Sequence, residues 1–198
     1  MTPAPAEAVE LTFVPLTPDR LDDLATFFDQ PGDPKWCWCA SFRVRRRAKG
    51  VPPAENRAVL ADAAERDPAP GLIAYRAGRV VGWVSLGPRE DFVKLAHWKA
   101  LAPVDDRPVW SIVCFVVGRQ DRGQGLAGAL LDAAIDHARA NGATTLEAYP
   151  ADTGGERIPS PVAYNGTLSM FERAGFTVVA RRTFNRTLPA RPIVRLEL

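Results

Sequence analysis

One segment in the middle of the chain constrains the fold and the function more than any other. The apolar run SIVCFVV (residues 111–117) is rich in β-branched residues and predicts a buried strand. The run GRQDRGQG (residues 118–125) follows directly, and LAGALL (residues 126–131) then begins an amphipathic helix. Because the first N–H groups of a helix have no internal acceptor, this succession predicts an anion-binding site at the helix N-terminus.

The composition of the loop indicates what kind of anion it binds. Glycines let the backbone approach a phosphate closely, and Arg119 and Arg122 add formal positive charge beside it. Glycines at a helix start also cost stability unless a ligand uses them. We therefore expect a phosphorylated cofactor.

Two motifs fit the loop. The letters GQGLAG (residues 123–128) match the dinucleotide fingerprint G-x-G-x-x-G, with Glu147 as the acid that would bind a ribose. In that fingerprint the strand runs almost straight into the first glycine, whereas five residues separate Val117 from Gly123 here. The other frame is Gln120-x-x-Gly123-x-Gly125, and the neighbouring segments agree with it better.

This second frame resembles the pyrophosphate-binding loop of the GNAT acyltransferase superfamily. The segment MFERAGF (residues 170–176) is similar to the closing helix of the same family. The resemblance covers roughly residues 9–198 and implies an α/β (α+β) fold. It implies a mixed, mostly antiparallel central sheet, flanked by helices, in which the fourth and fifth strands splay apart. We expect a single domain over 9–198 after a disordered lead over 1–8.

Local patterns predict the same order of elements. They indicate a strand over 9–16, helices beginning near residues 21 and 53, and a hairpin of strands 71–75 and 79–86. The strand over 111–117 and its helix follow, then a strand over 144–149, a helix over 167–174 and two final strands. This order is also the one that the GNAT family shows.

The resemblance implies a bound acetyl-CoA and assigns residues to it. In the family the pantetheine pairs with the fourth strand, as a missing neighbouring strand would. Residues assigned in this way to the pantetheine and the acyl carbonyl are Phe115, Val116 and Val117. Residues assigned to the pyrophosphate are Arg122, Gly123, Gln124, Gly125, Leu126 and Ala127. Asn165 either reaches the cofactor or caps the closing helix.

Acyl transfer to an amine needs a base, an oxyanion donor and sometimes an acid. The Val117 amide is the candidate oxyanion donor. The family often has a tyrosine that acts as the general acid at the position where this chain has Phe171. The candidates for the acid here are therefore Tyr164, Ser169 or solvent. Glu147 is the candidate base, and its alternative interpretation is a solvent-facing strand residue.

The segment WCWC (residues 36–39) is unusual. In GNAT folds this region covers the acceptor site, so Trp36 and Trp38 either line an acceptor pocket or pack in the core. No second cysteine pair accompanies Cys37 and Cys39, so we expect no metal site. We expect Cys114 in the core.

Composition and charge restrict the possible binding partners and the cellular location. A net charge of +2 gives no broad basic surface for nucleic acid, and no apolar run is long enough to span a bilayer. Three cysteines cannot all pair, which favours a reducing cytoplasmic location. Strand edges at the C-terminus allow a homodimer.

The sequence predicts an acetyl-CoA-dependent N-acetyltransferase. It acts on a primary amine, with a small-molecule acceptor favoured, by direct attack in a ternary complex. The alternatives are a CoA-binding module without transferase activity, a GNAT enzyme with another acyl donor, and a nicotinamide enzyme.

Overall fold

A seven-stranded sheet forms the centre of the molecule. The computed structural model describes residues 10–30, 35–45, 51–159, 162–182 and 190–198, so the expected lead over 1–8 lies outside the described residues. The strands are β1 (Leu11–Pro15), β2 (Gly71–Arg76), β3 (Arg79–Pro88), β4 (Trp110–Val117), β5 (Thr145–Ala148), β6 (Thr177–Ala180) and β7 (Ile193–Glu197). The helices are α1 (Leu21–Phe28), α2 (Pro53–Ala64), α3 (Val93–His97), α4 (Leu126–Ala140) and α5 (Leu168–Arg173).

The sheet has the order β1-β2-β3-β4-β5-β7-β6. Every neighbouring pair is antiparallel except β4 and β5, which run parallel. The predicted mixed, mostly antiparallel sheet with flanking helices is therefore confirmed. No helix within the described residues is long and apolar enough to cross a membrane.

The predicted hairpin forms because its turn has the residues that such a turn needs. Ala77 and Gly78 join β2 to β3 with φ values of +50° and +73°. Two successive positive φ angles match the right-handed twist of the strands that they connect. The long β3 that follows is buried along nearly its whole length, as expected of a strand covered on both faces.

Apolar layers cover both faces of the sheet. On one face, α4 packs Leu126, Leu130 and Leu131 against the central strands. On the other, Phe27 and Phe28 of α1 pack with Trp83 of β3. The spacing of the apolar residues in α4 follows one helical stripe, so its polar side faces solvent.

The parallel contact between β4 and β5 is short. Only the stretch from Trp110 to Ile112 pairs with β5, and the remainder of β4 runs on without it. Further along, the Asn165 side chain donates from Nδ2 to the Val113 carbonyl at 2.5 Å. The Phe115 amide donates to the Tyr164 carbonyl at 2.6 Å. The two strands therefore separate after Ile112, and the segment before α5 occupies the start of the opening.

A buried ionic cluster holds the paired end of these strands. Glu147 of β5 is fully buried and accepts hydrogen bonds from Arg89 at 2.5 Å and from Arg195 at 2.9 Å. The Tyr149 hydroxyl donates to the same carboxylate at 2.7 Å. Asp105 binds the other side of Arg195 at 2.7 Å. The cluster joins β5 to β7 and to the end of β3.

Replacement of Glu147 by Gln should destabilise the protein. Loss of the carboxylate leaves two buried guanidinium groups without their central counterion, so we expect the free energy of unfolding to fall by about 3 kcal/mol. Chemical denaturation of the wild type, Glu147→Gln and the exposed control Glu156→Gln would measure it. Equal stability of the two variants would contradict a structural role for the cluster.

Candidate functional site

A cavity of about 1080 Å³ lies at the opening between β4 and the segment before α5. We call it the splay cavity. Its wall includes the second half of β4, the loop before α4, the first turn of α4 and one side of α5. The lining residues are Cys37, Ser41, Cys114, Phe115, Val116, Val117, Asp121, Arg122, Gly123, Gly125, Leu126, Ala127, Gly128, Ala163, Tyr164, Gly166, Thr167, Met170 and Arg173.

The glycines of the loop face open space. Gly123 and Gly125 have φ values of +75° and +78°, a left-handed conformation that favours glycine. A Cβ atom added to either residue would meet no atom within 4 Å, although both line the cavity. The loop thus leaves room for a ligand directly against its backbone, at the N-terminus of α4.

A buried carboxylate fixes the shape of this loop. Asp121 receives two hydrogen bonds from Arg79, at 3.1 and 3.0 Å, and a third from Arg76 at 3.3 Å. Arg76 also donates to the Gln124 side chain at 2.8 Å. The loop is therefore fastened to the hairpin of β2 and β3. Gln124 is exposed and its side chain is directed to Arg76 and to the Gln120 carbonyl, not to the cavity lining.

The free edge of β4 presents backbone groups to the cavity. Gly118 donates its N–H to Val81 of β3, whereas Phe115 donates to Tyr164 on the opposite side. Successive residues of a strand direct their N–H groups to opposite edges, so Val117 directs its N–H to the same edge as Phe115. The Phe115 amide is therefore occupied by Tyr164 and is not available to a cofactor, although the residue itself lines the cavity. The side chains of Phe115 and Phe171 meet edge to face at 6.1 Å.

Of the two residues predicted as the general acid, both of which the structure describes, only Tyr164 lines the cavity. Its ring lies against Phe42 and beneath the Arg191 guanidinium, 5.1 Å away. Burial raises the pKa of its hydroxyl above the ordinary value, and Arg191 opposes part of this rise. The hydroxyl therefore carries its proton at neutral pH.

Three other predictions need correction. Glu147 is neither solvent-facing nor a cavity residue, because two arginines and Tyr149 enclose its carboxylate. Ser169 is exposed on the outside of α5, and its hydroxyl lies 3.4 Å from that of Thr167. Asn165 neither lines the cavity nor caps α5, since its amide connects Val113 to Arg191.

The two tryptophans also lie outside the cavity lining. Trp38 is buried and packs edge-on against Phe28 at 5.2 Å, so it belongs to the core. Its backbone has a positive φ of 47°, which turns the ring inward. Trp36 is 64% exposed on the surface. Trp38 therefore follows the alternative interpretation of packing in the core, and Trp36 does not line the splay cavity.

Sequence reasoning missed several residues that the fold brings to the cavity. Arg173 follows Met170 by one turn of α5, and both line it. The segment before α2 contributes Cys37 and Ser41 instead of the tryptophans. The basic side chain of Arg173 in the last turn of the closing helix was the sequence signal from which its role at the cavity could have been predicted. Within the described residues, no group of three potential metal ligands is arranged to hold an ion.

The chain belongs to the GNAT family of acetyltransferases. Residues 36–157 match the family described as Acetyltransferase (GNAT) family. The match contains β4, the glycine loop and α4, and therefore most of the splay cavity.

One sequence relative and two solved structures illustrate what the chain is similar to. A mycothiol acetyltransferase from Propionibacterium freudenreichii is 34% identical over 116 residues, which are 58% of this chain but 30% of that protein. A GNAT acetyltransferase from Streptococcus pneumoniae superposes with a TM-score of 0.58 at 16% identity, covering 96% of this chain and 99% of that one. A polyamine N-acetyltransferase from Drosophila melanogaster, which forms N-acetylagmatine, superposes with a TM-score of 0.59 at 14% identity. This superposition covers 96% of this chain and 100% of that one.

A substitution at Gly166 tests the packing of the cavity wall. A Cβ atom there would lie 2.6 Å from Met170 and 2.8 Å from Phe171. Gly154 also has a positive φ, but a Cβ atom added to it would meet nothing within 4 Å. We expect Gly166→Ala to lower the free energy of unfolding by about 1–3 kcal/mol more than Gly154→Ala, because only the former overpacks α5. Denaturant titration of both variants would decide; equal losses would contradict the close packing.

Proposed function

We propose that this chain is an acetyl-CoA-dependent N-acetyltransferase that acts on a primary amine of a small molecule, by direct attack in a ternary complex. The observation that carries the proposal is the pair of left-handed glycines that open into the splay cavity at the start of α4. A glycine loop that faces a cavity at a helix N-terminus is the arrangement that a pyrophosphate requires.

The residues present fit the cofactor. The leading N–H groups of α4 belong to Leu126 and Ala127, which line the cavity and have no acceptor within the helix. Arg122 and Arg173 place positive charge on the same wall. The first turn of α4 contains no acidic residue that would repel an anion. The apolar stretch along β4, with Met170 opposite, suits the pantetheine.

The chain's own groups then have distinct tasks. Acetyl-CoA supplies an activated thioester when it is bound. The Val117 N–H, on the free edge of β4, donates to the cofactor as the next strand of a sheet would. Tyr164 holds a proton at neutral pH and is the donor for the leaving thiol.

The amine loses its proton to water in this proposal. Among the described residues that line the cavity, Asp121 is the sole carboxylate, and Arg76 and Arg79 engage it. The rate should therefore rise with pH as the free amine accumulates. The small-molecule acceptor is supported by the names of the relatives, a mycothiol acetyltransferase and a polyamine N-acetyltransferase.

One rival has an observation in its favour. Phe171 stands where the family often has an acidic tyrosine, and it is fully buried against Phe176. A CoA-binding module without transferase activity would have the same cavity and no need of that acid. Thioester turnover across a panel of amines separates the two functions.

Binding of acetyl-CoA should depend on the open glycines. We expect acetyl-CoA to stabilise the wild type by about 2.7 kcal/mol at one hundred times its Kd. Gly123→Asp and Gly125→Asp should abolish this gain, because each places a carboxylate where the pyrophosphate lies. Thermal unfolding with acetyl-CoA, CoA and NADPH would measure it.

The matched control is Gly142→Asp. Gly142 has a similar φ of +77° and similar free space, but it follows the far end of α4. This variant should keep the full acetyl-CoA response. Stabilisation by NADPH alone would favour a dinucleotide enzyme, and a response that survives both loop substitutions would contradict the proposed site.

Removal of the Tyr164 hydroxyl should slow turnover without weakening the cofactor complex. We expect Tyr164→Phe to lower kcat by about 10²-fold, the lower end of what a positioned proton donor contributes. Since burial raises the pKa of Tyr164 above that of an ordinary tyrosine, its deprotonation should reduce the wild-type rate only at strongly alkaline pH. Tyr75→Phe is the control, because that hydroxyl binds Asp23 away from the cavity. An unchanged kcat for Tyr164→Phe would assign the proton to solvent.

A further inference from the structure

Three thiols from distant parts of the sequence meet at the wall of the splay cavity. Cys39 Sγ lies 3.1 Å from Cys114 Sγ and donates its S–H to it. The Cys37 thiol hydrogen-bonds Cys39 in turn. Cys37 and Cys114 line the cavity, whereas Cys39 is 1% exposed and does not. The cluster therefore has a cavity-facing sulfur on β4 and a covered sulfur in contact with it.

The backbone around Cys39 is held in an unfavourable conformation. Trp38 and Cys39 have φ values of 47° and 48°, and neither is a glycine. L-residues rarely adopt this left-handed region, and such residues cluster at functional sites. The surroundings maintain it, because Trp38 packs on Phe28 and the Asn56 amide donates to the Trp36 carbonyl at 2.7 Å. This strained turn directs Cys39 against β4.

We propose that Cys39 and Cys114 form a redox dithiol that reduces a low-molecular-weight organic disulfide entering the splay cavity. This activity is separate from acyl transfer. Two sulfur atoms at 3.1 Å need to approach by only about 1 Å to reach the length of a disulfide bond. Cys114 lines the cavity and Cys39 does not, so an incoming disulfide meets Cys114 first.

The reaction balances as two thiol–disulfide exchanges. The Cys114 thiolate attacks one sulfur of the organic disulfide, forms a mixed disulfide and releases the first thiolate. Cys39 then gives its proton to the first released thiolate and attacks Cys114 Sγ, which forms the Cys39–Cys114 disulfide and releases the second thiolate. The protons of the two cysteines pass to the two released thiolates. The dithiol loses two electrons, and the organic disulfide gains them.

Oxidation would also tie two elements together at the cavity wall. The turn that contains Cys39 lies between α1 and α2, whereas Cys114 lies in the middle of β4. A covalent bond between them would fix the turn that carries Cys37 and Ser41 into the cavity lining.

The test uses the full-length reduced protein and hydroxyethyl disulfide as the probe. Cys37→Ser removes the competing thiol, and Cys37→Ser with Cys39→Ala also removes the resolving thiol. Peptide mapping by mass spectrometry under non-reducing conditions identifies the products. We expect linked Cys39 and Cys114 peptides from the first variant and a stable hydroxyethyl adduct on Cys114 from the second.

Two results would overturn the proposal. One is that both thiols of folded Cys37→Ser stay unmodified, and the other is an adduct on Cys114 that persists there without an internal disulfide. Circular dichroism before oxidation checks the folding of each variant. If the double variant does not fold, the product formed by Cys37→Ser alone still decides.

A second arm rests on the proposed function, since it assumes that acetyl-CoA occupies this cavity. Acetyl-CoA at ten times its Kd should slow the oxidation of Cys114 about tenfold, because it leaves about one site in eleven free. An unchanged rate together with a normal disulfide would contradict the placement of the cofactor and leave the dithiol chemistry intact. The two proposals can therefore fail separately.

Discussion

The separation of β4 from β5 is the constraint on which the rest of the structure depends. A strand edge inside a protein must find partners for its N–H and carbonyl groups. Past Ile112, Asn165 and Tyr164 supply two of these partners, while Val117 directs its N–H into the opening. At the other end, the Glu147 cluster fastens β5 to its neighbours. The strands are held together at one end and kept apart at the other, and the splay cavity lies at the separated end.

Opposite charges organise the loop beyond β4 in a similar way. The loop contains two arginines and the hairpin against it contributes Arg76 and Arg79, so these like charges repel unless a carboxylate lies among them. Asp121 is 2% exposed and satisfies Arg76 and Arg79 of the hairpin, which keeps the loop against β2 and β3. The glycine amides and the start of α4 are thereby presented to the cavity, with Arg122 and Arg173 beside them. The carboxylate thereby shapes the loop that we propose as the pyrophosphate site.

Elements whose signals are local could be predicted from the sequence. Contacts that depend on residues far apart along the chain could not. The glycine loop and the hairpin at Ala77 and Gly78 could be predicted because the backbone conformation there follows from a few adjacent residues. Glu147 was assigned wrongly because the arginines that enclose it lie 58 and 48 positions away along the chain. The position of Trp38 stayed open between a pocket and the core because nothing in WCWC signals the left-handed backbone or the contact with Phe28.

The packing of α5 explains why the position at which the family often has its general-acid tyrosine is filled by Phe171 here. Phe171 is enclosed by Phe115 and Phe176 at 6.1 and 5.0 Å, so a hydroxyl at that position would be buried among aromatic rings. Tyr164 instead approaches the cavity from the segment before α5, where its carbonyl also holds β4. The same residue thus sets the position of the strand and is the proton donor that we propose. Because Cys114 lies one residue before Phe115, Tyr164 and the Cys39 thiol contact neighbouring residues of β4.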